Sequence, residues 1–278
     1  MDDDVQIGHS PDSDDAFMFY GLASGRTFTG DLRFDHVLRD IQTLNEWARE
    51  GRLECTAISV HAYPHVRERY AILTHGASMG DGYGPLVVAR QTAGPEAIAD
   101  GLVAVPGRMT SAFLALSLFL GRPFRHIVLP FDQVMDAVKE GRADYALVIH
   151  EGQLTHGCLG LAPCVDLGAW WKAVTGLPLP LGVNAIRRDL PEGRQAVISR
   201  ALRESIAYAL NHREEALEYA MSFARDMERA TADRFVGMYV NDWTLDMGEA
   251  GRRSIALFLK RAEAAGLVPP GGPPEFVD

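Results

Sequence analysis

Short β-like runs alternate with amphipathic helical runs along the chain as far as Asp189, and beyond that residue the pattern is almost entirely helical. Runs such as VQIGH, RFDHVL and CTAISV have the length and apolar content of buried strands, and each is followed by a helical segment. The segment DIQTLNEWAREG carries both end signals of a helix, with Asp40 at the N-cap position and Gly51 at the stop. Such alternation is typical of proteins with mostly parallel sheets, so we predict an α/β fold.

The same pattern indicates two lobes. It weakens at residues 91–101, QTAGPEAIADG, and a second series of strands and helices then begins at LVAV. A proline-rich run at residues 177–181 brings the chain back, and its prolines argue against a central strand there. We predict a larger lobe of residues 1–92 and 182–278, a smaller inserted lobe of residues 93–181, and a cleft between them. Ligands of open α/β sheets bind beyond the carboxyl ends of strands, so the loops that follow strands are the candidate site.

Charge and cysteine content exclude several classes of protein. The formal net charge is -10 and the basic residues are scattered, so the basic stripe of a nucleic-acid-binding protein is missing. The apolar stretches are shorter than the ~20 residues that a membrane helix needs. The cysteines, Cys55, Cys158 and Cys164, form neither a disulfide framework nor a metal-binding spacing. The acidic start MDDDVQIGHS does not resemble a signal peptide. We therefore expect a cytoplasmic protein with no bound metal.

An acidic loop, HSPDSDDAF, follows the first predicted strand and carries Asp12, Asp14 and Asp15 close together. One interpretation is helix capping, in which Asp14 or Asp15 accepts the free N–H groups of the following helix. Another is ligand binding, since hydroxyl groups of a ligand or a raised pKa would relieve the repulsion between the carboxylates. We expect the loop to do both, with Asp14 or Asp15 as the cap and Asp12 at the rim of the pocket.

Two further loops carry candidate site residues. In VAVPGRMTSAF, Thr110 and Ser111 stand at a helix N-terminus, where hydroxyls and free N–H groups form an anion site, and an ordinary Ser/Thr cap explains the same residues equally well. In YALVIHEGQLTH, His150 directly follows an apolar strand, a suitable place for a general base, although a lone histidine is more often structural. The tryptophan pair, Trp170 and Trp171, is interpreted as core.

Five stretches, in order along the chain, resemble one known family: SPDSDDAFMFYGL, VAVPGRMTSAF, VIHEGQLT, VDLGAWWKAVTGLPLPLG and YVNDWTLDMGEAG. They are similar to the 1,4-dihydroxy-6-naphthoate synthase family of the futalosine route to menaquinone, over nearly the whole chain. The resemblance implies a two-lobed fold like that of type II periplasmic binding proteins, with a central cleft. It also implies a lyase that splits cyclic dehypoxanthine futalosine into 1,4-dihydroxy-6-naphthoate and a sugar-derived fragment, without a metal or an organic cofactor.

The resemblance also assigns residues. His150 is implied to be the base that takes a hydroxyl proton and starts the carbon–carbon cleavage. Thr110 and Ser111 would hold a carboxylate or hydroxyls of the small-molecule substrate, and Asp15 would line the pocket. The full set of predicted substrate-binding residues is Ser10, Asp12, Asp14, Asp15, Thr110, Ser111, Ile149 and Leu181.

The first motif departs from the family pattern SPCPNDTF. Asp12 stands where the family has Cys, Asp14 where it has Asn and Ala16 where it has Thr. Hydrogen-bond donors and acceptors in a buried pocket are not interchangeable, so a divergent member that acts on a related compound is one alternative. The chorismate dehydratases of the same route are a second alternative, and a non-catalytic small-molecule-binding protein is a third.

Overall fold

Two β-sheets with helices packed on them make up the part of the chain that the computed structural model describes, residues 3–224 and 227–278. The strands in these ranges are β1 Asp4–His9, β2 Arg33–Leu38, β3 Cys55–Ser59, β4 Tyr70–Leu73, β5 Ser78–Gly80, β6 Leu86–Ala89, β7 Leu102–Val105, β8 Arg125–Val128, β9 Tyr145–Val148, β10 Ala162–Asp166, β11 Leu179–Arg187 and β12 Phe276–Val277. The α/β prediction is therefore confirmed.

The α-helices are distributed over both sheets, with the longest ones in the C-terminal third. They are α1 Ser13–Met18, α2 Tyr20–Ala23, α3 Ile41–Glu50, α4 Tyr63–Val66, α5 Pro95–Asp100, α6 Ser111–Leu120, α7 Val134–Lys139, α8 Gly152–Thr155, α9 Leu167–Thr175, α10 Glu192–Asn211, α11 Arg213–Met221, α12 Arg229–Tyr239, α13 Asp242–Leu245 and α14 Gly248–Ala264. The chain has no helix, among the residues described, that is long and apolar enough to cross a membrane.

The larger sheet has the strand order β12-β4-β11-β3-β1-β2, with β5 beside β11, and the smaller sheet has the order β10-β6-β9-β7-β8. In both sheets the βαβ units are parallel, as predicted: β1 pairs in parallel with β2 and β3, and β7 with β8 and β9. The two strands nearest the crossings, β6 and β11, run antiparallel to their neighbours. The sheets are therefore mixed and not mostly parallel as the sequence pattern indicated, because the chain leaves one lobe and re-enters it in the opposite direction.

Strand pairing moves the first crossing relative to its predicted position. β6 pairs with β9 and β10 in the smaller sheet, so the crossing precedes Leu86 instead of following residue 92. On the return, β11 already pairs with β5 at Leu179 and Pro180, and β3 joins only from Gly182. Pro180 thus lies in a strand that becomes central further along. It is accommodated because β5 is the strand that pairs with it among the residues described, and the ladder shifts directly after it.

Local signals explain where α3 begins and ends and how closely α9 packs. The Asp40 carboxylate accepts the Thr43 N–H at 3.0 Å, and Gly51 ends α3 in the left-handed conformation, as predicted. In α9, Gly168 lies very close to the turn that precedes β6. A β-carbon added to this glycine would be 1.8 Å from the Tyr83 carbonyl oxygen. The glycine of the DLGAWW motif therefore allows α9 to pack against this turn.

One apolar core extends through both lobes. Val103, Leu147 and Trp171 of the smaller lobe share a buried cluster with Ile72 and Phe258 of the larger lobe. The two lobes are consequently joined by packed side chains. This arrangement fixes the position of the loops that follow β1, β7 and β9, where the candidate residues lie.

Candidate active site

A cleft between the two sheets contains about 760 Å³ of empty space, including its mouth. Its wall brings together predicted residues from four segments: the loop after β1, the start of α6, the end of β9 and the strand β11. These residues are Ser10, Asp14, Asp15, Thr110, Ser111, Ile149, His150 and Leu181. The parallel strands explain the convergence, because the carboxyl ends of β1, β7 and β9 face the same space.

The acidic loop folds differently from the expectation at the helix start. Asp12 occupies the N-cap position of α1, and Asp14 and Asp15 lie in its first turn. The Asp15 carboxylate accepts the N–H of Ser10, which precedes the helix, at 2.6 Å. The prediction that Asp14 or Asp15 caps the helix is therefore wrong. The position of Asp15 inside the first turn lets its side chain reach back and tie the loop to the helix.

Burial and mutual repulsion keep protons on this loop. Burial, followed by the charges of Asp15 and Asp12, raises the pKa of Asp14 to about 8, and the positive charge that His150 can carry lowers it only in part. Burial also raises the pKa of Asp15 to about 7, against the opposing effect of the hydrogen bond from Ser10. Near neutral pH the loop therefore presents a protonated carboxyl, which donates a hydrogen bond where an ionised one only accepts.

This protonation predicts a pH-dependent stability. The ordinary pKa of Asp14 is 3.8, so between pH 3.8 and about 8 the folded protein holds a proton that the unfolded chain loses, and the free energy of unfolding falls as the pH rises. An Asp14→Asn variant lacks this loss. We expect its melting temperature, relative to that of the unmodified protein, to rise by about 8 °C between pH 5 and pH 9, which corresponds to about 4 kcal/mol.

Thermal melts of both proteins across this range provide the measurement, with Asp31→Asn, a change at an exposed carboxylate, as the matched control. Ionisable groups that do not interact with Asp14 affect both proteins equally and cancel in the difference. A difference between Asp14→Asn and the unmodified protein that stays constant with pH would contradict a proton held at Asp14.

His150 lies two residues after the end of β9 with a backbone φ of 55°, and no other non-glycine residue among those described has a positive φ. Such a backbone costs on the order of 1–3 kcal/mol and persists only where the surroundings hold it. The imidazole lies edge-to-face with Phe131, with a ring-centroid distance of 4.8 Å. Its Nδ1 lies 3.2 Å from the Asp12 carboxylate. The strained backbone turns the side chain out of the strand and into the cleft.

Asp12 does not lie where we expected it. Its side chain is 3% exposed and points to Ser10 and His150, whereas we predicted a position at the pocket rim. The hydroxyl of Ser10 donates a hydrogen bond to the same carboxylate oxygen that faces His150. This oxygen therefore has partners within the protein. Asp12 contacts His150, but it does not belong to the residues that line the cleft.

The start of α6 uses its hydroxyl groups within the protein. Thr110 caps the helix by accepting the Phe113 N–H at 3.2 Å, and it donates to the Gly107 carbonyl at 2.9 Å. The Ser111 hydroxyl donates to the Leu181 carbonyl at 2.5 Å, which joins the two lobes. What this helix start can offer an anion is therefore mainly the backbone N–H groups of its first turn, supported by the helix dipole.

The sequence interpretation missed Asn45, which is fully buried and joins both lobes. Its amide nitrogen donates to the Ser59 hydroxyl at 3.0 Å and to the Met109 carbonyl at 3.3 Å, and its oxygen accepts the Ser59 N–H at 2.8 Å. It thereby fixes the loop that leads into α6. A polar residue between Leu44 and Ala48, on the apolar face of α3, was the signal that could have identified it.

The sequence interpretation also missed a hydrogen-bonded pair of residues in the cleft wall. The Tyr239 hydroxyl of α12 donates to the Gln153 side-chain oxygen of α8 at 2.6 Å, and both residues line the cleft. We predicted a loop around Gln153, and α8 is a single turn, which is too short to show helical periodicity in the sequence. The described residues contain no group of three or more His, Cys, Asp or Glu side chains arranged to hold a metal ion.

A sequence profile described as menaquinone biosynthesis matches residues 5–264 of this chain. The chain belongs to the menaquinone biosynthesis family. A protein of Thermus thermophilus named 1,4-dihydroxy-6-naphthoate synthase is 44% identical over 98% of this chain and 99% of its own length. A protein of Streptomyces coelicolor with the same name is 38% identical over 98% of this chain and 97% of its own length. The family resemblance of the sequence motifs is confirmed.

Solved structures agree with the fold. A crystal structure of a protein from Archaeoglobus fulgidus matches with a TM-score of 0.91 at 45% identity, covering 96% of this chain and 99% of that one. A Candida albicans protein described as having the generic periplasmic binding protein fold matches with a TM-score of 0.64 at 16% identity, covering 94% and 95%. The second likeness concerns the fold alone, and it confirms the predicted periplasmic-binding-protein-like architecture.

Proposed function

We propose that this chain is a 1,4-dihydroxy-6-naphthoate synthase, a carbon–carbon lyase that cleaves cyclic dehypoxanthine futalosine. The observation that carries the proposal is the convergence of His150, the acidic loop and the start of α6 on one cleft. Relatives at 44% and 38% identity over almost the whole chain carry this name. A divergent member acting on a related compound would use the same cleft.

The cleft suits a flat carboxylated substrate. Apolar side chains offer a surface for an aromatic ring system, and they are Ile41, Ala57, Ile149, Leu181, Val183 and Phe235. The N–H groups of the first turn of α6, beside Thr110 and Ser111, would bind the carboxylate of the part of the substrate that becomes the naphthoate. The protonated carboxyl on the acidic loop would donate a hydrogen bond to a carbonyl or hydroxyl, which reduces the repulsion that an anionic substrate otherwise meets.

The proposed reaction is an aldol-type cleavage started by His150. The imidazole takes the proton of a substrate hydroxyl, the oxygen forms a carbonyl, and the adjacent carbon–carbon bond breaks. The electron pair of that bond passes to the neighbouring ring as an enolate, which accepts a proton and becomes the aromatic hydroxyl of the product. We assign the supply of this proton to Asp14, which lines the cleft and whose raised pKa of about 8 keeps it protonated near pH 7.

The sequence left open two rival functions, a chorismate dehydratase and a non-catalytic binding protein. The names of the relatives favour the synthase over the dehydratase. A histidine in a strained backbone conformation at the cleft favours catalysis over binding alone, because such strain is concentrated at functional sites. We place the enzyme in the cytoplasm, where its three free cysteines would remain reduced.

A substrate comparison tests the proposal. The purified protein is incubated separately with cyclic dehypoxanthine futalosine and with chorismate, and the products are identified by liquid chromatography with mass detection. We expect 1,4-dihydroxy-6-naphthoate from the first compound and unchanged chorismate from the second. Dehydration of chorismate, or recovery of both compounds intact despite measurable binding, would replace the synthase with one of its two rivals.

A further inference from the structure

The contact between Asp12 and His150 crosses the cleft. Asp12 belongs to the larger lobe, in the loop that follows β1, and His150 belongs to the smaller lobe, in the loop that follows β9. The Asp12 Oδ2 atom lies 3.2 Å from His150 Nδ1, and the two side chains are 3% and 16% exposed. A buried carboxylate therefore faces one ring nitrogen of a histidine that also lines the cleft.

The carboxylate is held in place from its own lobe. Ser10 donates its hydroxyl to the same oxygen that faces His150, and the Ser10 N–H is in turn bonded to Asp15 at 2.6 Å. Phe131 contacts the imidazole of His150 edge-to-face at 4.8 Å. The orientation of the ring is thus fixed by Asp12 and Phe131, while a left-handed backbone directs the side chain towards the carboxylate.

We propose that Asp12 is a positioning residue for His150, which holds the imidazole in the tautomer protonated at Nδ1 and leaves the Nε2 lone pair to act as the base. An ionised carboxylate only accepts hydrogen bonds, so the nitrogen facing it carries the proton. When Nε2 takes a proton from the substrate, the negative charge of Asp12 stabilises the resulting imidazolium. Asp12 does this without touching the substrate.

A positioning role gives a different explanation for Asp12, which departs from the family motif. The family pattern has Cys where this chain has Asp12, and we first interpreted the carboxylate as a ligand for substrate hydroxyls. Its burial behind His150 relates the departure to the base and not to substrate recognition. Because the two residues come from different lobes, the pair also exists only while the lobes are held together, as the Ser111–Leu181 and Asn45–Met109 hydrogen bonds hold them.

The inference rests on the proposed function for its kinetic test but not for its structural one. With ¹⁵N-labelled histidine, long-range proton–nitrogen correlation spectra report which ring nitrogen of His150 carries the proton, and the His150→Asn spectrum assigns the signal. We expect the Nδ1-protonated tautomer in the unmodified protein and a shift towards the Nε2-protonated form in Asp12→Asn. The matched control Asp31→Asn, the same change at an exposed carboxylate outside the cleft lining, keeps the tautomer of the unmodified protein. An Nε2-protonated His150 in the unmodified protein would overturn the inference, whether or not the futalosine derivative is a substrate.

The kinetic test applies once turnover is established. In Asp12→Asn we expect kcat to fall by about 10²-fold, the lower end of the range for a positioned base, with KM changed less than threefold. The acidic limb of the kcat/KM profile should move to lower pH by about one unit, because the imidazolium has lost a neighbouring negative charge. A purely structural role would lower activity without moving this limb. A raised KM with an unchanged limb would instead return Asp12 to substrate binding and refute the positioning role.

Discussion

Replacing His150 by Asn is expected to reduce turnover by about 10²–10⁴-fold while the protein still folds and binds its substrate. Asparagine tolerates the left-handed conformation that residue 150 adopts, with its φ of 55°, better than most residues do, so the backbone at the end of β9 should persist. The amide cannot accept a proton at neutral pH, and the base of the proposed mechanism is therefore removed with little change of shape. Steady-state rates together with circular dichroism and substrate titration measure the three properties separately.

The matched control is His65→Asn, the same substitution at an exposed histidine of α4. We expect its turnover to equal that of the unmodified protein. If His150→Asn retained turnover within a few-fold of that control, His150 would have no part in the chemistry. The base would then have to be sought among the other groups that line the cleft.

Replacing Trp171 by Ala is expected to lower the free energy of unfolding by about 3–5 kcal/mol, in the range found for truncation of buried aromatic residues. Trp171 is fully buried and joins the lobes: its Nε1 donates to the Ser254 hydroxyl of α14 at 3.1 Å, and its ring lies edge-to-face with Phe258. The Ser254 hydroxyl then donates to the Pro178 carbonyl at 2.5 Å, just before β11. The substitution leaves a cavity and unpairs one member of this chain of hydrogen bonds.

Trp170→Ala is the natural comparison, because this neighbouring tryptophan is only half-buried, in edge-to-face contact with Phe119. We expect less than half the loss seen for Trp171→Ala in urea or thermal unfolding. Equal losses for the two variants would show that α9 is stabilised along its whole length. The interlobe contact of Trp171 would then have no special weight.

Most of the larger elements could be predicted because their signals are local. The helix α3 begins at an Asp40 cap and ends at a left-handed Gly51, and the sequence carries both signals. The crossing before β6 was misplaced because the run at residues 86–89 is apolar in the same way as any buried strand. Which sheet such a strand joins is decided by pairing partners far along the chain, β9 and β10, and not by its own residues.

Some of the residues that line the cleft could likewise be predicted from the sequence, whereas the contacts between them could not. His150, Thr110 and Ser111 could be placed at the cleft because each follows a strand or opens a helix after one. The orientation of Asp12 depends on Ser10 and on His150, and His150 lies far along the chain from Asp12. The hydroxyl groups of the α6 start are occupied by the Gly107 and Leu181 carbonyls, and Leu181 belongs to the other lobe.

A single-turnover experiment tests the central claim most directly. Purified protein in excess over cyclic dehypoxanthine futalosine is quenched at increasing times, and substrate and 1,4-dihydroxy-6-naphthoate are quantified. The account predicts one naphthoate formed for each substrate consumed by the unmodified protein, and substrate bound but unconverted by His150→Asn over the same period. Recovery of bound, intact substrate from the unmodified protein, or equal conversion by both proteins, would contradict a lyase that uses His150 as its base.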